Sequence, residues 1–293
     1  MEKNNTSWYI FLVITFFVWG TQHPPIKVLS GEVSPFLLNF LRFSIAGAVL
    51  LPFVMKNKVK VEKKDLMWIS VLGLVGIYLF GVFNIFGVRM STASNNAVLL
   101  NSWPLMLVLI APIFIKEKIT KKILAGTAIG FVGVVLVITK GILSVDLLMK
   151  SEYFTGDILI LISALCITIN SMYIKKYIDK YGGITVTFYS VAAGTVALFL
   201  SSVIAGDMFS ITKIGFDSFL LILWVAIPTT ALTWVIWYQS IKRIGPVKTS
   251  SFFFLIPVSG VLTSYIFLKE ELTIFTIAGT ALILLGVYVV QRK

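Results

Sequence analysis

The sequence predicts an all-α membrane protein with ten transmembrane helices, arranged as two inverted five-helix repeats with both termini in the cytoplasm. Three observations support this prediction: an apolar composition, ten apolar runs of membrane-spanning length, and a repeat that relates the two halves. Of the 293 residues, 58% are hydrophobic and only 13% are charged. Soluble domains carry about 25% charged residues, so this composition fits a lipid environment better than water.

The apolar residues form ten long runs, each close to the roughly 20 residues that a helix needs to cross the hydrocarbon core. No run shows the two-residue alternation of lipid-facing strands, which favours helices over a barrel. The first run has no small-residue cleavage site after it, which predicts a retained helix. In order, the runs are residues 8–28, 35–55, 66–87, 93–115, 121–138, 156–175, 184–206, 216–238, 246–268 and 273–291.

A repeated segment indicates an internal duplication. The segment AGTAIGFVGVVLV at 125–137 returns as AGTALILLGVYVV at 278–290, with 7 identities in 13 positions. The same offset places Pro257 on Pro104. A unit of this size far exceeds the period of about 20–50 residues in solenoid proteins. We therefore predict a first five-helix repeat at 1–140, an external connecting loop at 141–155 and a second repeat at 156–293, all within one integrated membrane domain.

The positive charges predict the orientation of the helices. With a cytoplasmic N-terminus, 18 of the 25 Lys and Arg residues fall in cytoplasmic segments and 6 on the opposite side, as the positive-inside rule expects. Because each half has an odd number of helices, the second repeat enters the membrane from the opposite side. The net charge of +12 therefore follows one membrane face, which argues against nucleic-acid binding.

Prolines predict where helices are interrupted. Pro24 and Pro25 lie in the first run, and Pro104 and Pro257 lie near the centres of the fourth and ninth. Each proline removes a backbone donor and frees a carbonyl, and carriers with inverted repeats bind substrate near such interruptions. Ordinary packing kinks are the alternative. Because Pro104 and Pro257 are equivalent in the two halves, we treat all four prolines as candidate hinges.

Several segments, in their order and spacing, carry a family resemblance. They are FFVWGTQHPPIKVL, PFLLNFLRFSIAGAVL, NSWPLMLVLIAPIFIKEKIT with the AGTA segment that follows, and the second copy LIPVSGVLTSYIFLKEELT. Together they resemble the EamA-type ten-helix branch of the drug/metabolite transporter superfamily, over almost the whole chain. The resemblance implies a multi-pass plasma-membrane carrier that exports or exchanges small metabolites, often amino acids. It also implies a central cavity lined by helices 1, 3, 4, 6, 8 and 9. The HPPIK segment departs from the family, whose first helix is usually less interrupted.

Arg42 is the one charged residue that we place deep within a predicted helix, and such a residue is a functional hypothesis by default. Its guanidinium could bind a substrate carboxylate through two hydrogen bonds. Alternatively, it binds carbonyls freed by Pro24 and Pro25, or ties neighbouring helices together. The structural role is favoured, because the resembling family often has an arginine here whatever the substrate. Asn39 lies on the same helix face and shares both alternatives.

His23 is the only histidine, so a multi-histidine metal site is excluded and no metal site is predicted. Proton coupling through His23 is open because imidazole titrates near neutral pH, but a hydrogen-bonded packing role is favoured. Polar and aromatic side chains at cavity depth would bind a zwitterion or an amphipathic solute, or link helices. The full set of substrate-binding candidates is Trp19, Gln22, His23, Asn39, Arg42, Tyr78, Asn101, Trp103, Asn170 and Trp234.

The sequence thus predicts a secondary transporter that exports or exchanges small metabolites, amino acids above all, by alternating access and without a cofactor. The alternative within transport is a multidrug or nucleotide-sugar carrier. Asp157 lies at a helix entrance and no helix core carries a confident Asp or Glu, which disfavours strongly proton-driven export of organic cations. A membrane enzyme or an assembly protein is also disfavoured, since no acid–base or metal constellation lies at membrane depth.

The expected partners are a small-molecule substrate and the lipid bilayer. Protons or a counter-substrate stay open as driving partners, and a monomer suffices while a dimer is open.

Overall fold

The computed structural model describes residues 5–57, 59–107, 110, 121–142, 151–244, 252 and 255–291, and within these ranges nearly every residue is helical. Three predicted features lie largely outside the described residues. They are the end of the fourth run with the cytoplasmic segment after it, most of the external connecting loop, and the start of the ninth run.

The described helices agree closely with the predicted runs. Two π-helical turns, Leu74–Leu79 and Ile227–Leu232, each join two α-helices into one longer stretch. Residues 103–107 are also helical. In chain order the helices are α1 (Asn5–Gly20), α2 (His23–Glu32), α3 (Pro35–Asn57), α4 (Lys63–Gly73), α5 (Phe80–Arg89), α6 (Ala93–Leu100), α7 (Lys121–Thr139), α8 (Phe154–Tyr181), α9 (Gly183–Ile204), α10 (Phe216–Ala226), α11 (Thr233–Ile244), α12 (Leu255–Leu268) and α13 (Ile274–Gln291).

Five described helical stretches are long and apolar enough to cross a membrane: Pro35–Lys56, Lys63–Arg89, Phe154–Tyr181, Gly183–Ile204 and Phe216–Trp237. Shorter apolar helices cover Leu124–Thr139, Leu255–Leu268 and Ile274–Val289. Large apolar side chains face outward, such as Phe216 and Phe267, each 74% exposed. The chain is therefore a helical multi-pass membrane protein, as predicted. The count of ten crossings and the cytoplasmic termini stay predictions.

Pro24, Pro25 and Pro104 lie at helix starts, and the breaks lie just before them. The first predicted run divides at Thr21–Gln22, and Pro24 and Pro25 occupy the first turn of α2, which extends to Glu32. A proline there lacks only an N–H that would have no partner within the helix. Pro104 follows the break at Asn101–Ser102 in the same way. Pro257 lies near the first described residue of α12, and the residues just before that helix lie outside the described part of the chain. In the first and fourth runs the interruption thus lies in the residues before the prolines and not at the prolines themselves.

The duplicated glycines lie at the crossing of α7 and α13. A Cβ added to Gly133 would lie 2.6 Å from the carbonyl oxygen of Gly279, and one added to Gly126 would lie 2.9 Å from that of Gly286. Added atoms on Gly279 and Gly286 would meet the Gly133 and Gly126 oxygens at 2.7 and 2.6 Å. The two copies of the motif therefore run antiparallel, and only residues without a side chain allow so close an approach.

We expect Gly133→Ala to destabilise the protein, because the new methyl group must separate two backbones in close contact. Overpacking of this kind costs about 1–3 kcal/mol. Thermal unfolding of the purified protein in detergent measures the change. The control is Gly31→Ala in α2, where an added Cβ meets no atom within 4 Å. Equal midpoints for the two variants would contradict the close crossing.

Candidate functional site

Arg42 lies at the centre of the polar interior, where α3 meets the interruptions of two other helices. Its side chain is 6% exposed. Nη2 donates to Gln22 Oε1 at 2.7 Å, and Nε and Nη2 donate to Thr230 Oγ1 at 3.1 and 3.0 Å. No carboxylate forms an ion pair with Arg42 among the described residues, whose ion pairs join Lys180 to Glu62 and Asp65. The guanidinium is thus held by neutral groups.

Thr230 reaches Arg42 because the helix widens into a π-turn at this point. Pro228 has no N–H to donate within this turn, and Thr229 and Thr230 place their hydroxyls on the carbonyl oxygen of Val225 at 2.9 and 2.7 Å. The Thr230 oxygen then accepts from Arg42. The break between α1 and α2 likewise brings Gln22 into contact with the guanidinium. Arg42 therefore binds side chains at both interruptions, which corresponds to the predicted alternative that it ties neighbouring helices together, and not to the one that it binds freed carbonyls.

An aromatic cluster of Phe43, Tyr78 and Trp234 lies beside the arginine. The guanidinium carbon of Arg42 is 5.0 Å from the centroid of the Phe43 ring, and Phe43 stacks on Trp234 with centroids 6.4 Å apart. Tyr78 packs against the same apolar core from the π-turn Leu74–Leu79, and its hydroxyl lies 2.9 Å from Ser201 Oγ. Two predicted candidates, Tyr78 and Trp234, are thus brought close to Arg42 through Phe43.

His23 belongs to a chain of side-chain amides next to this centre. Asn84 Nδ2 donates to Asn96 Oδ1 at 2.7 Å, and Asn96 Nδ2 lies 3.1 Å from His23 Nδ1. An amide nitrogen can only donate, so His23 Nδ1 accepts and the proton of the neutral ring resides on Nε2. That Nε2 is buried, and the described residues offer it no hydrogen-bond partner. His23 therefore has an oriented donor available within the protein interior.

The predicted hinge prolines of the two halves meet at one small cavity of about 20 Å³. Pro104 and Pro257 line it together with Asn101 and Trp103. Asn101 Nδ2 donates to the carbonyl oxygen of Ala97 at 2.7 Å and so completes the end of α6. Four residues that were singled out separately in the sequence thus share one location, which is large enough for a water molecule only.

Three predicted candidates serve helix packing away from Arg42. Trp19 packs in an apolar cluster with Phe16, with ring centroids 5.6 Å apart. Asn39 Nδ2 donates to the carbonyl oxygen of Pro35 at 3.0 Å, and Asn170 Nδ2 donates to that of Leu72 at 2.8 Å. The amides of Asn39 and Asn170 thus donate to backbone carbonyls and not to the arginine, and the Oδ1 atom of Asn39 is buried without a partner among the described residues.

A second polar cluster, near the end of α5, was not predicted from the sequence. The Asp157 carboxylate in the first turn of α8 is 0% exposed and accepts from Ser91 Oγ and Asn95 Nδ2. Lys27 Nζ donates to the carbonyl oxygens of Val88, Arg89 and Ser91. Asp157 does lie at a helix entrance as predicted, but its full burial was not foreseen. The Gly-Asp pair at the start of an apolar run was the signal available in the sequence.

The turn between α12 and α13 reaches the same region. Glu270 accepts from the backbone N–H groups of Ala93 and Ser94 at 2.7 and 2.9 Å, and from Ser94 Oγ at 2.6 Å. A carboxylate is favourable there because the first N–H groups of α6 have no partner within the helix. The described residues contain no group of three or more metal-ligating side chains. The carboxylates of Asp157 and Glu270 are thus both held by neutral N–H and O–H donors.

Comparisons with known proteins agree on the class of molecule. The sequence model of the EamA-like transporter family matches residues 6–139 and, separately, residues 154–292. An uncharacterized transporter of Archaeoglobus fulgidus is 29% identical, covering 97% of this chain and 99% of its own. The transporter YyaM of Bacillus subtilis, also uncharacterized, is 29% identical, covering 95% of this chain and 92% of its own.

Two further similarities are more distant. A probable terminal-alkyne amino-acid exporter of Streptantibioticus cattleyicolor is 22% identical, covering 100% of this chain and 95% of its own. A protein of known crystal structure superposes with a TM-score of 0.62 at 19% identity, covering 96% of each chain. That likeness supports the fold alone.

We expect Thr230→Val to destabilise the protein, because it keeps the shape but leaves Arg42 without one of its two acceptors. A buried donor that loses its partner costs about 1–3 kcal/mol, and more when it is charged. Thr229→Val is the matched control. The Thr229 hydroxyl donates to the Val225 carbonyl oxygen, and in this variant the same carbonyl keeps its hydrogen bond from Thr230. The unfolding midpoints should fall clearly further for Thr230→Val; the reverse order would contradict the arrangement.

Proposed function

Because the chain belongs to the EamA-like transporter family, we propose that it is a secondary transporter that exports or exchanges small metabolites, amino acids first among them, by alternating access. It does so from the plasma membrane and needs no catalytic chemistry. A distant relative, 22% identical, is a probable terminal-alkyne amino-acid exporter, which supports this choice over other metabolites.

The proposed carrier consists of two inverted repeats, at 1–140 and 156–293, joined by the loop 141–155. Two separate matches of one family model support this division. The glycine crossing supports it as well: Gly126 pairs with Gly286 and Gly133 with Gly279, so equivalent positions exchange partners as a two-fold axis requires. In carriers built this way the substrate site lies between the repeats. Each chain then holds both halves of the site, so a monomer suffices.

The observation that carries the proposal is the buried Arg42 guanidinium bound only to neutral groups. Its contacts come from both proposed repeats, Gln22 from the first and Thr230 from the second. A fixed cation at this place would attract an anionic group, and an arginine can bind a carboxylate through two parallel hydrogen bonds. Gln22 and Thr230 would yield those donors as the substrate carboxylate arrives. The aromatic cluster of Phe43, Tyr78 and Trp234 would then face the apolar part of the substrate.

The other candidates have secondary roles in this proposal. His23 offers its Nε2–H as a donor, and Asn101 and Trp103 line the cavity at the two hinge prolines. Pro104 and Pro257 both line that cavity, so a movement of one proposed repeat there would displace the other. The same aromatic cluster would also suit a larger amphipathic solute, so a multidrug or nucleotide-sugar carrier is the second candidate.

We expect counterflow in proteoliposomes to identify the substrate class. Vesicles loaded with one unlabelled amino acid receive a labelled trace of the same compound, and a carrier concentrates the label transiently because exchange needs no other energy source. Protein-free vesicles are the control, and drugs, nucleotides and nucleotide sugars are tested in parallel. If protein shown to be folded gives no accumulation of any amino acid, the choice of substrate class is wrong.

We expect Arg42→Gln to weaken transport of the amino acid found by counterflow roughly tenfold or more, because a charged hydrogen-bonded partner of the carboxylate is lost. Competition by the corresponding amino-acid amide, which lacks the carboxylate, should change much less. Arg89→Gln, on an exposed side chain, is the matched control. Parallel loss of monodisperse protein and of transport would instead indicate a structural role for Arg42.

A further inference from the structure

Asp157 is the one acidic residue that the described part of the chain buries completely. It lies in the first turn of α8, where Gly156 packs so closely on α5 that an added Cβ would lie 2.6 Å from the Gly87 carbonyl oxygen. One carboxylate oxygen accepts from the hydroxyl of Ser91, and the amide of Asn95 donates to both oxygens at 3.0 Å. All of these donors are neutral.

The charged groups around Asp157 make their closest contacts elsewhere, although the charge of Lys140 also acts on Asp157 without contact. From α2, Lys27 donates its Nζ to backbone carbonyls at the end of α5. After α7, the Nζ of Lys140 lies 4.0 Å from the ring centroid of Tyr153. Glu270, from the α12–α13 turn, binds the start of α6, and Arg89 at the end of α5 is exposed. The side chains of α6 that face Asp157 carry no charge.

Asp157 therefore forms no ion pair within the described residues. An ionised carboxylate without a cationic partner is expensive to bury, and the N-terminus of α8 and the three neutral hydrogen bonds offset only part of this cost. A proton removes the remaining cost. An ionisable side chain in this position is functional by default.

From this geometry we propose that Asp157 binds and releases one proton in each transport cycle, and that its ionisation controls how firmly α6 is held to α8. The coupling part rests on the proposed carrier function. In this proposal the proton drives transport. The carboxylate that binds it lies in the second proposed repeat, and the hydrogen-bond donors to that carboxylate lie in the first.

The hydrogen bonds explain how a proton would act. The ionised carboxylate only accepts, so it can hold Ser91 and Asn95 together and fix the α5–α6 turn on α8. Once one oxygen carries a proton, that oxygen becomes a donor and an acceptor position is lost. The hydrogen bonding from the Asn95 amide to the carboxyl group then weakens. The next residue, Asn96, bonds to His23, which adjoins Gln22, a ligand of Arg42. The proton site is thus connected to the arginine centre through two neighbouring pairs of residues, Asn95–Asn96 and His23–Gln22.

Infrared spectroscopy tests the proton site without any substrate. The protein in lipid vesicles is titrated with acid while the carbonyl stretch of protonated carboxyl groups is recorded. We expect a pH-dependent band from a carboxyl group shielded from water, which is absent in Asp157→Asn and unchanged in Asp217→Asn, the exposed control. If Asp157→Asn does not fold, isotopically labelled aspartate in the wild-type protein must shift the same band. No such band, or a band that persists in folded Asp157→Asn, overturns the proposal.

Transport then tests the coupling. With the amino acid found by counterflow, an imposed pH gradient should drive accumulation by the wild-type protein and by Asp217→Asn. Asp157→Asn should lose this accumulation but keep counterflow, because exchange moves no net proton. Equal gradient-driven accumulation by Asp157→Asn and the wild type overturns the coupling. Absence of counterflow in the wild type counts against the carrier proposal instead, and the infrared titration still decides the proton site.

Discussion

The hydroxyl of Thr230 connects the two requirements that shape the polar interior. Inside a bilayer, backbone carbonyls and charged side chains must find partners within the protein. Thr230 donates to the Val225 carbonyl in the widened turn after α10, and its oxygen accepts from Arg42 on α3. The irregular helix and the buried cation therefore depend on the same atom, and the position of α3 relative to α10 follows from it.

Interrupted helices recur wherever polar side chains converge. Gln22 lies at the break between α1 and α2, and Asn101 completes the end of α6. A regular helix would keep its backbone groups internal and present only side chains. Each break instead brings backbone and side-chain polar groups to one place, so the breaks add to the polar groups that the helices bury. The prolines that follow them ensure that the helix cannot close again.

The helical multi-pass class could be predicted from sequence, because the length and hydropathy of a helix in lipid follow directly from the thickness of the bilayer. The exact breaks could not, since a proline constrains the residues before it and the choice among them depends on side chains far away in the chain, such as Arg42 for Gln22. The candidate site was foreseen in part. Arg42 and Gln22 were recognised by their polarity, whereas Thr230 and Asp157 were missed because burial and pairing depend on neighbouring helices.

The contact between α7 and α13 has a mechanical consequence. Backbones approach closely at Gly126–Gly286 and Gly133–Gly279, and the side chains of Val137, Ile283 and Val289 pack against these glycines. Such a contact fixes both the distance between the two helices and their register, because sliding or turning would press a side chain into the facing backbone. If the two halves rock against each other, α7 and α13 would therefore move as one rigid pair, and their separation would stay constant while the distances around Arg42 change.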